Sequence, residues 1–160
     1  MLTPDDLGGM QWRAAGQGEN QEVSNSVTLV DSNIAIPVQE GGRYWVHLRG
    51  RAAAASTADL QLGWSMPSGS TILRTMWGGG EDATGGPTGW TTAMFRSAAT
   101  DAGLPYGMSG TGAPRPFFED VDLVAGDDGD LVLRFAQATA HASNCTLYAV
   151  SYARWLRIAA

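Results

Sequence analysis

Two arms of alternating residues, RYWVHLR (43–49) and DLQLGWSM (59–66), constrain this chain more than any other feature in it. Side chains of an extended strand point to opposite faces in turn. Tyr44, Val46 and Leu48 therefore share one side, while Trp45, His47 and Arg49 share the other. In the second arm Leu60, Leu62, Trp64 and Met66 face one way, and Gln61, Gly63 and Ser65 the other. Small residues at 52–57 join the arms and carry no periodic apolar face. The expected product is a long antiparallel pair with one buried and one wetter face. The design returns near the C-terminus. DLVLRFAQ (130–137) places Leu131, Leu133 and Phe135 on one face, ATAHASN follows as a small polar connection, and CTLYAVSYARWLRI (145–158) is a second long strand or a bent pair.

Composition agrees with an all-β domain. Of 160 residues 44% are hydrophobic and only 16% charged, and 21 glycines and 7 prolines supply turns. This balance suits a β-sandwich or barrel, and the length allows one domain with a substantial core. All ten basic residues are arginine. Without lysine, a lysine-dependent phosphate-binding loop and Schiff-base chemistry are both excluded. A net charge of −6 removes the electrostatic case for nucleic acid. The single cysteine, Cys145, cannot form an intrachain disulfide or a thiolate cage, and in a strand it reads as a small core residue. Residues 1–9 have neither a basic region nor an apolar run, so no signal peptide is expected. No stretch approaches the roughly 20 apolar residues of a membrane span.

Along the chain, residues 1–24 are expected to form an arm and residues 25–160 the β domain. Thr3 and Pro4 fit the cap and first position of a single helical turn. Met10 and Trp12 are the arm's only sizeable apolar groups. The arm is either a frayed end or a segment that docks on a neighbour with Trp12 as anchor. Residues 26–30 and 34–38 read as two short strands split by the turn cluster Asp31-Ser32-Asn33, with Pro37 at a strand end or edge. Strands are also expected over 71–77, 90–96 and 117–124, with Gly126-Asp127-Asp128-Gly129 as a hairpin turn. Long irregular connections fall at 78–89 and 98–116. The count reaches eight or nine strands and no helix.

The chemistry-bearing candidates are few. Glu119, Asp120, Asp122, Asp127, Asp128 and Asp130 form an acidic cluster without the ligand spacing of a calcium loop, and read as a solvated turn. Gly107-Met108-Ser109-Gly110-Thr111 opens like a nucleophile elbow but ends in threonine and lies in a loop. His47 and His141 are the only candidate bases, neither beside a recognisable partner. No catalytic residue, metal or cofactor is expected. Trp77 and Trp90 flank the glycine loop and either clamp its base or offer a stacking platform. With Tyr106 on the second long loop, they are the candidate exposed contacts for a ligand.

Two segments carry a family resemblance. VTLVDSNIAIPVQEGGRYWVHLRGRAAAASTADLQLGWSMPSGST and DGDLVLRFAQATAHASNCTLYAVSYARWLRIA resemble the opening and close of small virion proteins of tailed bacteriophages, particularly those of GC-rich actinobacteria. The likeness covers residues 26–76 and 117–159. It implies a jelly-roll-like antiparallel β-sandwich, to which the extended N-terminal arm read from residues 1–24 is added, made in the bacterial cytoplasm and assembled into the virion. It further implies a capsid decoration protein whose partners are the major capsid protein and itself, as a homotrimer. Neither nucleic acid nor membrane is an expected partner. The alternative it leaves is a minor tail or fibre protein that contacts a host surface glycan.

Overall fold

The computed structural model describes residues 11–79 and 93–159, which contain twelve strands and no helix. In chain order these are β1 (Arg13–Gly16), β2 (Gln21–Val23), β3 (Val30–Val38), β4 (Arg43–Ala53), β5 (Leu60–Ser65), β6 (Thr71–Gly79), β7 (Ala93–Ala98), β8 (Leu104–Tyr106), β9 (Arg115–Val124), β10 (Gly129–Gln137), β11 (Cys145–Leu147) and β12 (Tyr152–Ala159). Thr3, Pro4, Met10 and Trp90, and most of the 78–89 loop, lie outside the described residues.

Two antiparallel sheets pack face to face. The smaller has the order β3-β10-β5-β8, and the larger runs β1-β12-β4-β9-β6-β7, with β11 pairing both β4 and β2. From β3 to β10 the chain changes sheet at every step except β6 to β7, which pair as neighbours. Four strands from each sheet, interleaved in this order, make an eight-stranded jelly roll. The remaining four strands extend the larger sheet beside β4.

The period of two decides what is inside. On β4 Tyr44, Val46 and Leu48 are buried; Ile34, Ile36 and Val38 of β3 and Leu131, Leu133 and Phe135 of β10 face them from the smaller sheet. The pairing differs from expectation. The two arms of 43–66 lie in opposite sheets: β4 pairs β9 and β12, whereas β5 pairs β10 and β8. The small residues between them carry the chain over the end of the core, with Ala52, Ala53, Ala54 and Ala58 buried. Gly126–Gly129 is likewise a crossing from β9 to β10 and not a hairpin. Alternation reveals a strand's buried face but looks the same whether its partner lies beside it or across the core.

Two other expectations are corrected. Residues 30–38 form one strand through Asp31-Ser32-Asn33, because each polar group is satisfied in the extended chain. Asp31 lies 2.9 Å from Arg134 Nε, the Ser32 hydroxyl accepts the Ile34 amide, and Asn33 donates to the Gln17 carbonyl. Pro37 sits on an edge strand as expected, where a missing amide costs no ladder bond. Residues 13–23 of the expected arm are β1 and β2, paired with β12 and β11.

Gly50 is needed for space. It lies opposite Phe117, and a Cβ there would come within 2.0 Å of the ring. Gly50→Ala is expected to cost about 1–3 kcal/mol through overpacking, measured by urea denaturation. A loss below a few tenths would show that the ring moves aside freely.

Candidate functional site

Between the sheets lies a buried polar quartet. Arg74 of β6 and Glu119 of β9 are both fully buried and pair at 2.7 Å (Nη2 to Oε1) and 3.0 Å (Nε to Oε2). From the smaller sheet, Trp64 Nε1–H donates to Oε2 at 2.9 Å and the Tyr106 hydroxyl to Oε1 at 2.5 Å. The remaining guanidinium donors reach the carbonyls of Leu62 at 3.0 Å and Ala102 at 2.8 Å. Burial opposes the charge on Arg74, but Glu119 outweighs it and leaves the pKa raised. Burial, then Glu119, holds the Tyr106 hydroxyl well above its usual range, so it remains a donor. The quartet ties the sheets together and has no opening to solvent through its own side chains. It is a structural element.

The outer face of the larger sheet is different. Of the exposed large hydrophobic residues, Trp12, Trp45, Leu73, Phe95 and Val124 all lie there. Strand register explains the arrangement, since directly opposed residues share a face. Phe95, Trp77, Phe118, Arg49 and Tyr152 form one row across β7, β6, β9, β4 and β12. Trp77 and Phe95 are tilted at 5.6 Å, and the Arg49 guanidinium stands 6.0 Å from the Phe118 ring. The next row is polar: Ser97, Thr75, Asp120, His47 and Arg154. His47 Nδ1 lies 2.7 Å from Asp120 Oδ1. Arg43, Arg49, Arg51 and Arg154 share this surface with Glu22, Asp120 and Asp122, a small positive excess among the described residues of a protein of net charge −6.

Several residues singled out in the sequence change meaning. Tyr106, expected as an exposed contact, is fully buried in the quartet. Glu119 belongs to that quartet and not to a solvated acidic cluster; its neighbours Asp120 and Asp122 point outward, to His47 and Arg43. His47 therefore does have a carboxylate partner. Among the described residues no group of three or more His, Cys, Asp or Glu side chains converges. Trp12 packs on its own sheet, 5.4 Å from Trp45 and 4.9 Å from the Arg154 guanidinium. Trp77 remains on the surface beside Phe95. Met108 is buried, and Ser109 accepts a hydrogen bond from Arg115 Nε. His141 accepts the Ser143 amide. Burial pushes the Cys145 thiol up to about 12. The quartet was missed because Trp64, Arg74, Tyr106 and Glu119 come from four separate strands. The one available signal was parity: Glu119 shares the apolar side of β9 with Phe117, Val121 and Leu123.

No protein-family model matches the sequence, and no curated protein is recognisably similar to it. Among solved structures, a chain of the infectious bursal disease virus Gx strain aligns at 13% identity over 94% of this chain and 42% of its own, with a TM-score of 0.24. A mutant VP2 protein of the same virus, in T=1 particles, aligns at 13% identity over 94% and 40%, with a TM-score of 0.25. A lipoprotein of Bacteroides thetaiotaomicron aligns at 14% over 81% and 56%, with a TM-score of 0.18. The chain spans about two fifths of the viral chains. Likeness this slight carries no functional weight, and the jelly roll stands on strand order alone.

Proposed function

We propose that this chain is a structural protein of a tailed-bacteriophage virion, made in the bacterial cytoplasm, and specifically a decoration protein that seats on the major capsid protein. Strand order and the family resemblance over 26–76 and 117–159 support the class; fold alone does not select a function. The observation that carries the docking mode is the outer face of the larger sheet. It gathers exposed Phe95, Trp45 and Leu73 among arginines, the mixture that interface centres favour. The positive excess suits an acidic partner surface. Contact between copies, as a homotrimer, would place three such faces on the lattice.

The test is cosedimentation of the purified protein with undecorated phage heads. Saturable binding is expected, with Phe95→Asp weakening it about tenfold or more, as for an interface anchor, and salt weakening it further. Absence of binding to heads, with saturable binding to host surface glycans, would replace this reading by the tail or fibre one. In that case the aromatic row around Trp77 would be the contact surface.

A further inference from the structure

A second site lies on the opposite side of the same sheet, at its rim. Eight strands face four, so the inner face of β12 and β1 extends past β3 and is left partly uncovered. A hollow of about 300 Å³ opens there. Register determines what points into it. Arg13 of β1 opposes Trp155, and Arg157 of β12 opposes Tyr44. Trp155 and Tyr44 are buried on the core side, so both guanidiniums leave their strands on that side.

The chemistry of the hollow is one-sided. Its walls are Arg13, Arg157, Gln11 and Gln39, with Tyr44 and Trp155 as an aromatic floor and the Pro37–Val38 end of β3 opposite. None of its described lining residues is acidic, although the protein carries six net negative charges. Arg157 is held in place, donating to Gln39 Oε1 and standing 6.0 Å from the Tyr44 ring. Arg13 has no hydrogen-bond or ion-pair partner among the described residues. The Gln39 amide donates to the Tyr44 hydroxyl at 2.8 Å, and that hydroxyl keeps a proton of its own to give. Such an array of donors, with Arg13 unpartnered among the described residues, suits a carboxylate, which arginine grips through paired N–H bonds.

A free strand edge adjoins the hollow. β1 ends the larger sheet, so one edge of its backbone has no strand partner among the described residues. An extended segment can add there by main-chain hydrogen bonding while alternate side chains turn into the hollow. We propose that the rim of β1 and the Arg13–Arg157 hollow bind an extended acidic peptide segment, with an Asp or Glu carboxylate held by the two arginines. This inference is independent of the docking face, which lies on the other side of the sheet.

The test uses a blocked, fluorescein-labelled hexapeptide of alternating Thr and Asp, and its Thr/Asn counterpart, titrated into the full chain by anisotropy. The acidic peptide is expected to bind about tenfold tighter or more than the Asn form, a comparison that needs no variant. Arg13→Gln and Arg157→Gln should each remove most of that difference with unchanged circular dichroism, whereas Arg49→Gln on the outer face should not. Equal binding of the two peptides, or insensitivity to Arg13→Gln, would overturn the proposal. Acetate or glucuronate displacing the peptide at its own concentration would also overturn it, by assigning the hollow to a small acid.

Discussion

Glu119→Ala is expected to destabilise the protein by about 3–5 kcal/mol, the cost of stranding a buried charge when its partner is removed. The methyl group would leave Arg74 without its carboxylate and the Trp64 and Tyr106 donors without an acceptor, all between the two sheets. Glu119→Gln should also be strongly destabilising, because it preserves shape but removes the charge and turns an amide donor toward other donors. The double variant Arg74→Met, Glu119→Leu should lose much less than the sum of the single losses, since it removes charge and countercharge together. Urea denaturation of the set measures this. A Glu119→Ala loss under about 1 kcal/mol would mean that the quartet is solvated or rearranges without cost. The same site fixes a sign for pH. Tyr106 titrates well above its ordinary 10.0 in the fold, so its contribution is complete below pH 10 and is lost as pH rises further. Cys145, raised from 9.0 to about 12, adds loss in the same direction between those values.

How much of this could be read from residues alone divides along a physical line. The buried face of each long strand follows from alternation, and Tyr44, Val46, Leu48, Leu131, Leu133 and Phe135 all lie inside as that pattern requires. Strand partners do not follow. β4 and β5 have equally regular buried faces, yet they meet across the core, because alternation is silent on whether two apolar faces are edge neighbours or opposed layers. Short polar strands were harder still. β1 and β2 bury little beyond Val23, and their hold on the sheet is backbone pairing and the amide of Gln17, which composition cannot distinguish from a loop. The quartet was hidden for a related reason. Glu119 next to Asp120 looks like one acidic surface, but adjacent strand residues face opposite ways, and only one of the two reaches solvent. The site on the outer face was half visible, through Trp45 and Trp77, while Phe95 and Phe118 enter the row only once β6, β7 and β9 are known to be neighbours.

Removal of residues 1–24 is expected to unsettle the fold itself, whereas removal of residues 1–10 alone leaves β1 and β2 intact. The longer deletion would take β1 from β12 and β2 from β11, turning both partners into open edges. It would also remove Val23 from the core, a loss of about 1.5–3 kcal/mol by itself. Buried Gln17 goes with it. Its amide donates to the Ser151 carbonyl at 2.8 Å, and its side chain and carbonyl satisfy the Asn33 amide and side chain. Asn33 sits in the polar stretch that keeps β3 extended, so the damage would pass from the larger sheet to the smaller one. Thermal melts of the two truncations separate the cases. The 1–24 deletion should melt far below the full chain or fail to fold, and the strands it strips should lose amide protection first. A 1–24 deletion with an unchanged melt would show that β1 and β2 are passengers on the sheet. The shorter deletion is therefore the proper instrument for asking whether an arm contributes to head binding. If deleting 1–10 leaves cosedimentation unchanged while Phe95→Asp removes it, the docking surface is the outer face, where Trp12 packs beside Trp45.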